Sequence, residues 1–433
     1  MTPADGNDTT DPIAPPPSTI KANGGIRQDL ERAALRRLLG AVDGVTLVED
    51  PHAVVAKPHG LGATEVPDRV TLTVRDPRAW SAVARSGSAG IGEGYFRSWW
   101  DTDDLVGLLR HLIRNVGGLD AVRSRLHALG RPVLDPVRRI RRPDPERDRR
   151  NVRAHYDLSN EFFEAFLDET MTYSSAVFET PDTPLADAST AKLDRLCRKL
   201  RLEPDHELVE IGTGWGSFAV HAASAYGVHV TTTTVSAAQA ELARKRFAEA
   251  GVTERVDLRE VDYRSLTGRF DRLASIEMIE AVDWRDVPAY MAACSNLLAD
   301  DGLMGLQAIV IADQRFSRAK VTRDFIETWV FPGGCLPSIT SIADAATKAT
   351  DLRIIDLEDL GLHYAETLRR WRGTLQARWD DLHGLGLTLE MARLWDFYLA
   401  YCEAAFRERH VSVVQIVLAK PRWRPAGLEL RAV

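Results

Sequence analysis

Cysteine is scarce in this 433-residue chain: Cys197, Cys294, Cys335 and Cys402 stand far apart, with no Cys-x-x-Cys pair. That spacing argues against a zinc site and a disulfide framework, and suits a reducing cytoplasm. His155, His229 and His410 show no mutual metal-ligand spacing, so no metal is assigned. No run approaches the roughly 18 consecutive apolar residues of a membrane span. The first 25 residues are rich in Thr, Asp, Pro and Gly, without a charged start and an apolar run, and read as a disordered tail rather than a signal peptide. What is present is a soluble, globular composition, 45% hydrophobic, in a chain long enough for two or three domains and a sizeable core.

The most informative segment is Leu208-Val-Glu-Ile-Gly-Thr-Gly-Trp-Gly-Ser217. A short apolar strand carries a carboxylate near its end and runs into a glycine turn that opens a helix at about Gly216. Gly212 and Gly214 let backbone approach a ligand where a Cβ would collide. The next strand, 228–233, ends without the acidic residue that holds a dinucleotide ribose; Thr234 and Gln239 follow instead. The glycines also miss the NAD spacing, so the pattern favours S-adenosylmethionine over NAD.

The overall charge of −7 hides a local reversal: residues 138–150 hold seven arginines against three acids. Arg123, Arg125 and Arg131 extend the stretch, and Pro132, Pro136, Pro143 and Pro145 mark a domain junction. The stretch reads either as a solvated linker or as a contact for anionic lipid headgroups, where each basic residue contributes roughly 1 kcal/mol. Nucleic acid is a poor partner for an acidic chain without an aromatic-basic recognition module.

The expected organisation is a tail at 1–25, an N-terminal unit at 26–130, an Arg/Pro-rich linker at 131–150 and a catalytic domain at 151–425. The N-terminal unit has a helical pattern at 26–42, strands at 45–49 and 70–74, the glycine-rich segment 90–101 and an apolar helix near 105–113. It holds no catalytic cluster and reads as a docking, lipid-handling or dimerising module, mixed α+β in class. Beyond the junction, strands at 207–211, 228–233, 256–260, 271–276, 303–311 and 411–418 alternate with helices such as 237–250 and 287–298. That alternation predicts an α/β, Rossmann-like doubly wound sheet with mostly parallel strands. Ligands then sit at the strands' carboxyl ends, which brings Gly212, Thr234, Asp262, Tyr263 and the segment 277–280 around one crevice.

Three further segments sharpen the assignment: Arg153-Ala-His-Tyr-Asp-Leu-Ser-Asn-Glu-Phe-Phe through Tyr173-Ser-Ser-Ala-Val-Phe178, Phe331-Pro-Gly-Gly-Cys-Leu-Pro-Ser338, and Tyr401-Cys-Glu-Ala-Ala-Phe-Arg407. Phe162, Phe163, Phe166 and Leu167 give the first an apolar face, as a lid or as core packing. Together these motifs resemble the cyclopropane-fatty-acid synthase family of S-adenosylmethionine-dependent methyltransferases, over about residues 90–420. The resemblance implies methyl transfer to a cis double bond of an acyl chain in a phospholipid. An unactivated alkene is a feeble nucleophile, so orientation and exclusion of water are the available levers, the former worth roughly 7–11 kcal/mol. Proton loss from the new methyl group would close a cyclopropane; loss from a chain carbon would leave a methylene or methyl branch.

By the same resemblance, Tyr173, Ser174, Gly212, Gly214, Thr234, Gln239, Tyr263 and Ile276 are the expected cofactor residues. Glu280, Tyr364 and Cys402 look like the family's holders of a bicarbonate that accepts the proton, and a carboxylate beside an anion makes Glu280 a candidate for a raised pKa. Two positions depart from the pattern. Ser175 stands where many members have Cys, and Gln307 where they have His; both can donate hydrogen bonds, but Gln307 cannot relay a proton as His can. These departures weigh against bicarbonate and favour a 10-methylene product, the precursor of a 10-methyl acid, of the actinobacterial kind, which a separate reductase would complete.

The substrate is then an oleoyl-like phospholipid met at the inner face of the membrane by a cytoplasmic, peripherally bound protein, with a homodimer compatible with the N-terminal unit. Moving about 16 methylenes from water into protein releases roughly 13 kcal/mol, but from a bilayer almost nothing, so capture must rely on interfacial docking and headgroup contacts. Two other classes stay open from sequence: a methyltransferase for a small soluble acceptor, and a non-catalytic lipid-binding protein.

Overall fold

The computed structural model of the chain describes residues 26–55, 60, 65–115, 160–384 and 386–425. The N-terminal tail, the arginine stretch at 131–150 and His155 lie outside the described residues. The N-terminal unit comprises α1 (Ile26–Leu39), β1 (Val45–Glu49), β2 (Val70–Val74), α2 (Arg78–Ser86), α3 (Ser88–Phe96), β3 (Trp100–Thr102) and α4 (Leu105–Arg114). Strand β1 pairs parallel with β2, and β2 antiparallel with β3. β2 reads Val-Thr-Leu-Thr-Val with its apolar residues buried and its threonines half-buried, the alternation of a sheet with one covered face.

The second unit runs α5 (Asn160–Glu164), α6 (Leu185–Lys199), β4 (Glu207–Ile211), α7 (Ser217–Tyr226), β5 (His229–Thr233), α8 (Ala237–Glu249), β6 (Val256–Arg259), β7 (Phe270–Ile276), α9 (Val287–Leu297) and β8 (Leu298–Ile311). It continues with α10 (Asp313–Ala319), α11 (Phe325–Trp329), α12 (Ile339–Ala349), β9 (Arg353–Asp359), α13 (Gly361–Ala377), α14 (Trp379–Gly384), α15 (Leu389–Arg407) and β10 (Val411–Ala419). The strands form one sheet in the order β6-β5-β4-β7-β8-β10-β9. Neighbours from β6 to β8 are parallel, and β10 enters antiparallel between β8 and β9. Central strand β4 is buried at four of its five positions, as a strand covered on both faces must be. The Rossmann-like α/β class expected from sequence is therefore the observed one.

Two strands were not expected. β3 is only three residues long. β9, Arg-Ile-Ile-Asp-Leu-Glu-Asp, leaves Ile354, Ile355 and Leu357 exposed at the sheet's edge. Its acids are matched from α6: Lys199 Nζ lies 3.2 Å from Asp356 and 2.6 Å from Glu358. Charge along an edge strand blunts pairing with other chains, and it also hides the apolar pattern that sequence reading relies on.

The two units share a core rather than each closing its own. Leu35, Val70, Leu72, Trp80 and Leu109 belong to the same apolar cluster as Leu368, Trp371, Trp395 and Phe397. Helix α15 is the contact surface. Its fully buried Arg393 donates to the Tyr95 carbonyl at 2.8 Å and lies 3.4 Å from Asp101, which Arg75 also meets at 2.6 Å. Asp396 accepts from Tyr95 Oη at 2.8 Å and from Arg372 at 2.7 Å. Buried charges persist only when paired in this way; breaking such a pair costs about 3–5 kcal/mol.

Candidate active site

The glycine turn after β4 has the backbone that its sequence demands. Gly212 and Gly214 adopt φ of +93° and +51°, a region that favours glycine. Among the described residues nothing lies within 4 Å of where a Cβ on Gly214 would stand, and both glycines line a cavity of about 1080 Å³. That exceeds the roughly 300–1,000 Å³ of an ordinary small-molecule site. The turn sits at the carboxyl edge where the chain's path reverses between β4 and β7, the usual place for a ligand in an open α/β sheet.

Around this floor the cavity collects Tyr173, Ser174, Thr234, Gln239, Tyr263, Ile276, Glu280, Tyr364 and Cys402. Thr234 donates to Gln239 Oε1 at 2.9 Å, which orients the glutamine at the start of α8. Asp262 is engaged by its neighbour Arg264 at 2.8 Å, and Tyr263 packs edge-on to Tyr290 with ring centres 5.4 Å apart. The open glycine floor, the polar Thr234–Gln239 pair and the apolar Ile276 fit an adenosyl group.

Behind the polar rim lies a dry wall. Phe162, Phe163 and Phe166 are fully buried and interlock with Tyr173, Trp215, Trp371 and Trp395 at centroid distances of 4.9–6.3 Å. The aromatic segment expected as a lid or as core packing is thus core packing that supports the site. The cavity does not stop at the sheet. It continues between Leu39, Leu72, Val74, Leu108, Leu109 and Leu112 of the N-terminal unit. Exposed Arg318 and Arg323 line it at the surface.

Of the expected site residues, Ser175 and Gln307 alone are not on the cavity wall. Ser175 Oγ donates to the Ala176 carbonyl at 3.0 Å, while its backbone N–H donates to Glu277 Oε1 at 2.9 Å. Gln307 is fully buried between Gln415, from which it accepts at 3.0 Å, and Glu277 Oε1, to which it donates at 2.7 Å. Strand register explains this placement: Gln307 stands opposite Ile276 on β7 and opposite Gln415 on β10. Both side chains expected to meet an external anion are therefore turned to protein groups, and the Ser175 N–H and the Gln307 amide to one carboxylate.

That carboxylate, Glu277, has a positive φ of +51° without being glycine. Such a backbone costs on the order of 1–3 kcal/mol and persists only where its surroundings hold it. Its N–H donates to the Gln307 carbonyl at 2.8 Å and its Oε2 accepts from Tyr364 Oη at 2.7 Å. Burial pushes its pKa up, opposed by these donors and by the Lys192 charge.

Lys192 on α6 is completely buried, lines the cavity and donates to Ser174 Oγ at 2.8 Å. Burial lowers its pKa to about 8, although Glu277, Glu210 and Asp168 act to raise it. Glu280 is pushed up to about 8 by burial and then by the Glu277 charge. Its Oε1 accepts from the Ile309 N–H, while its Oε2 is buried without a partner among the described residues. Burial lifts Glu210 to about 7. The buried Lys192 thus acts on Glu277, Glu210 and Asp168, whereas Glu280, with a single donor and the Glu277 charge beside it, carries its proton at neutral pH. The Cys402 thiol is raised far above its ordinary value by burial, so it serves as a neutral wall.

Sequence reading missed Lys192 and the special place of Glu277. Leu193, Leu196 and Cys197 carry the helix's apolar spacing of i, i+3, i+4, and a lysine one position before them gives no signal of burial. Glu277 was read only as part of the segment at the crevice, yet it is the acid that gathers donors from three separate elements.

Comparison with known proteins agrees with this geometry. The family model described as mycolic acid cyclopropane synthetase matches residues 144–416, which leaves the N-terminal unit outside the match. The chain is 42% identical over 364 residues to the tuberculostearic acid methyltransferase UfaA1 of Mycobacterium tuberculosis, covering 82% of this chain and 84% of that protein. It is 31% identical over 353 residues to the cyclopropane-fatty-acyl-phospholipid synthase of Escherichia coli K12, covering 81% and 87%. The solved mycolic acid cyclopropane synthase CmaA1, complexed with SAH and CTAB, superimposes with a TM-score of 0.59 at 32% identity, over 63% of this chain and 98% of that one.

Proposed function

The chain belongs to the mycolic acid cyclopropane synthetase family, and from that premise we propose that it methylates the cis double bond of an unsaturated phospholipid acyl chain to give a methylene-branched product. It is an S-adenosylmethionine-dependent methyltransferase with a lipid substrate. The observation that carries the reading is the single cavity that joins the glycine turn of the sheet to the leucine-lined interior of the N-terminal unit. A small soluble acceptor needs no such chamber.

S-adenosylmethionine, when bound, supplies an electrophilic methyl group. Gly212, Gly214, Thr234, Gln239, Tyr263 and Ile276 line the cavity and would hold it, with Tyr173 and Ser174 of the segment before the sheet completing the site. The rest falls to the apolar walls. They hold the olefin in one orientation and keep out water that would trap a cationic chain. The N-terminal leucines take the remainder of the acyl tail, which gives that unit its lipid-handling role.

The methylene branch is favoured over the ring by the identity to a protein named for tuberculostearic acid, 42% against 31% for the cyclopropane synthase. Proton loss from a chain carbon alone would give an internal alkene. An exocyclic methylene instead requires a hydride to move along the chain before a proton leaves the new methyl carbon. The arginines at the cavity surface suit a phosphate headgroup. Among the described residues no helix is long and apolar enough to cross a membrane. Substrate capture is assigned to docking at the bilayer's cytoplasmic face, where those arginines meet the headgroups.

Incubation with oleoyl phospholipid vesicles and methyl-labelled S-adenosylmethionine is expected to place label in the acyl chain. Absence of label there, with enzyme shown by calorimetry to bind the cofactor, would overturn the reading.

A further inference from the structure

Three donors from distant parts of the chain converge on Glu277: the Ser175 N–H before the sheet, the Gln307 amide on β8 and the Tyr364 hydroxyl on α13, at 2.9, 2.7 and 2.7 Å. An external anion in this corner would need these same donors, and each is already engaged. Bicarbonate therefore does not fit as the proton acceptor in this chain. We propose that Glu277 itself is the catalytic base, a carboxylate built into the chain where an exchangeable anion would otherwise be required; this rests on the olefin-methylation reading above.

Its surroundings meet what a base needs. A carboxylate offers about four acceptor positions. Two donors sit on Oε1 and one on Oε2, so Oε2 retains capacity to accept a proton. Glu277 lines the cavity, and so lies on the surface that the reacting chain contacts. The buried Lys192 supplies the nearby countercharge, and Glu280, kept protonated at neutral pH, does not compete as an anion. Two neighbouring carboxyl groups in different environments divide into an ionised and a neutral member. The positive φ at a non-glycine residue is the backbone distortion expected where a side chain is held for its chemistry.

The proton step balances simply. Once the acyl chain has gained the methyl group it carries one positive charge at a chain carbon. A hydride first shifts from the methyl-bearing carbon to that neighbouring cationic carbon, which moves the charge to the carbon bearing the methyl group. A C–H bond of the new methyl group then breaks, its electron pair fills the vacant orbital as the exocyclic double bond, and the proton passes to Oε2 of Glu277. The neutral acid then returns the proton to water as product leaves. No oxidant, reductant or further anion takes part.

The test measures methyl transfer to oleoyl phospholipid in carbonate-depleted buffer and with added bicarbonate, for wild type, Glu277→Gln and Glu277→Gly. Wild type is expected to turn over equally in both buffers. Glu277→Gln is expected to lose turnover by roughly 10²- to 10⁴-fold, the worth of a general base, while its S-adenosylmethionine affinity stays unchanged by calorimetry. Glu277→Gly relieves the positive φ, its fold is checked by circular dichroism, and added bicarbonate or formate, taking up the donors left free, is expected to restore part of its activity. Wild-type turnover that depends on bicarbonate, a fully active Glu277→Gln, or a Glu277→Gly that no anion rescues would overturn the assignment while leaving the olefin reading intact. Absence of transfer by wild type in either buffer would instead reject the olefin reading and the base with it.

Discussion

Tyr364 on α13 donates its hydroxyl to Glu277 Oε2 at 2.7 Å, inside the cavity that both residues line. The bond ties the helix after edge strand β9 to the turn after β7. A hydrogen bond to a charged group contributes about 1.5–3 kcal/mol. Tyr364→Phe is therefore expected to lower kcat roughly 10- to 100-fold, with little change in KM for S-adenosylmethionine. Removing a donor also raises the Glu277 pKa further, so the acidic limb of the kcat profile should move to higher pH. Unchanged kcat and an unmoved profile would separate Tyr364 from the chemistry.

Glu280 makes stability depend on pH in a defined sense. Its pKa rises from 4.5 to about 8 on folding, so over that window the native state holds a proton that the unfolded state has released. Its contribution is fully present below the unfolded value and is lost as pH rises through about 8. Glu280→Gln can still accept from the Ile309 N–H and has no charge to desolvate. It is expected to melt close to wild type at pH 5 and above it at pH 9, and an equal difference at both pH values would contradict the assignment.

Gly214→Val places a side chain into the cavity from a backbone at φ +51°. Binding of S-adenosylmethionine, followed by calorimetry, is expected to fall beyond detection while circular dichroism shows the sheet intact. Cofactor binding at wild-type strength would remove the turn from the site.

Leu109→Trp tests the N-terminal chamber. Leu109 is buried, lines the cavity and lies on α4, outside the matched family region. Filling that space is expected to raise KM for a long unsaturated acyl chain at least tenfold, on the scale of the few kcal/mol that mispacked cores cost. Activity on a shorter chain and cofactor affinity should be retained, whereas equal losses for both chains would point to general destabilisation.

The sheet and its ligand edge were legible because they follow from local pattern. The strand 207–211, the glycine turn and the strand-helix alternation each declare themselves within about ten residues. Thr234 and Tyr263 follow from the strand ends, Tyr173, Gln239 and Ile276 from motif resemblance, and all five line one cavity. What stayed hidden depends on register between distant strands. Gln307 meets Glu277 only because β8 lies beside β7 in a particular phase, and the buried Lys192 finds its partner in Ser174, on a different segment of the chain. The N-terminal unit looked separate in sequence because its contacts with α15, such as Arg393 to the Tyr95 carbonyl, span nearly 300 residues.

The most direct measurement is carbon-13 NMR of the lipid formed from oleoyl phospholipid and methyl-¹³C-labelled S-adenosylmethionine. The label is expected at an exocyclic methylene carbon on the acyl chain. Label in a saturated ring carbon, or none in the chain, would contradict the function assigned to this cavity.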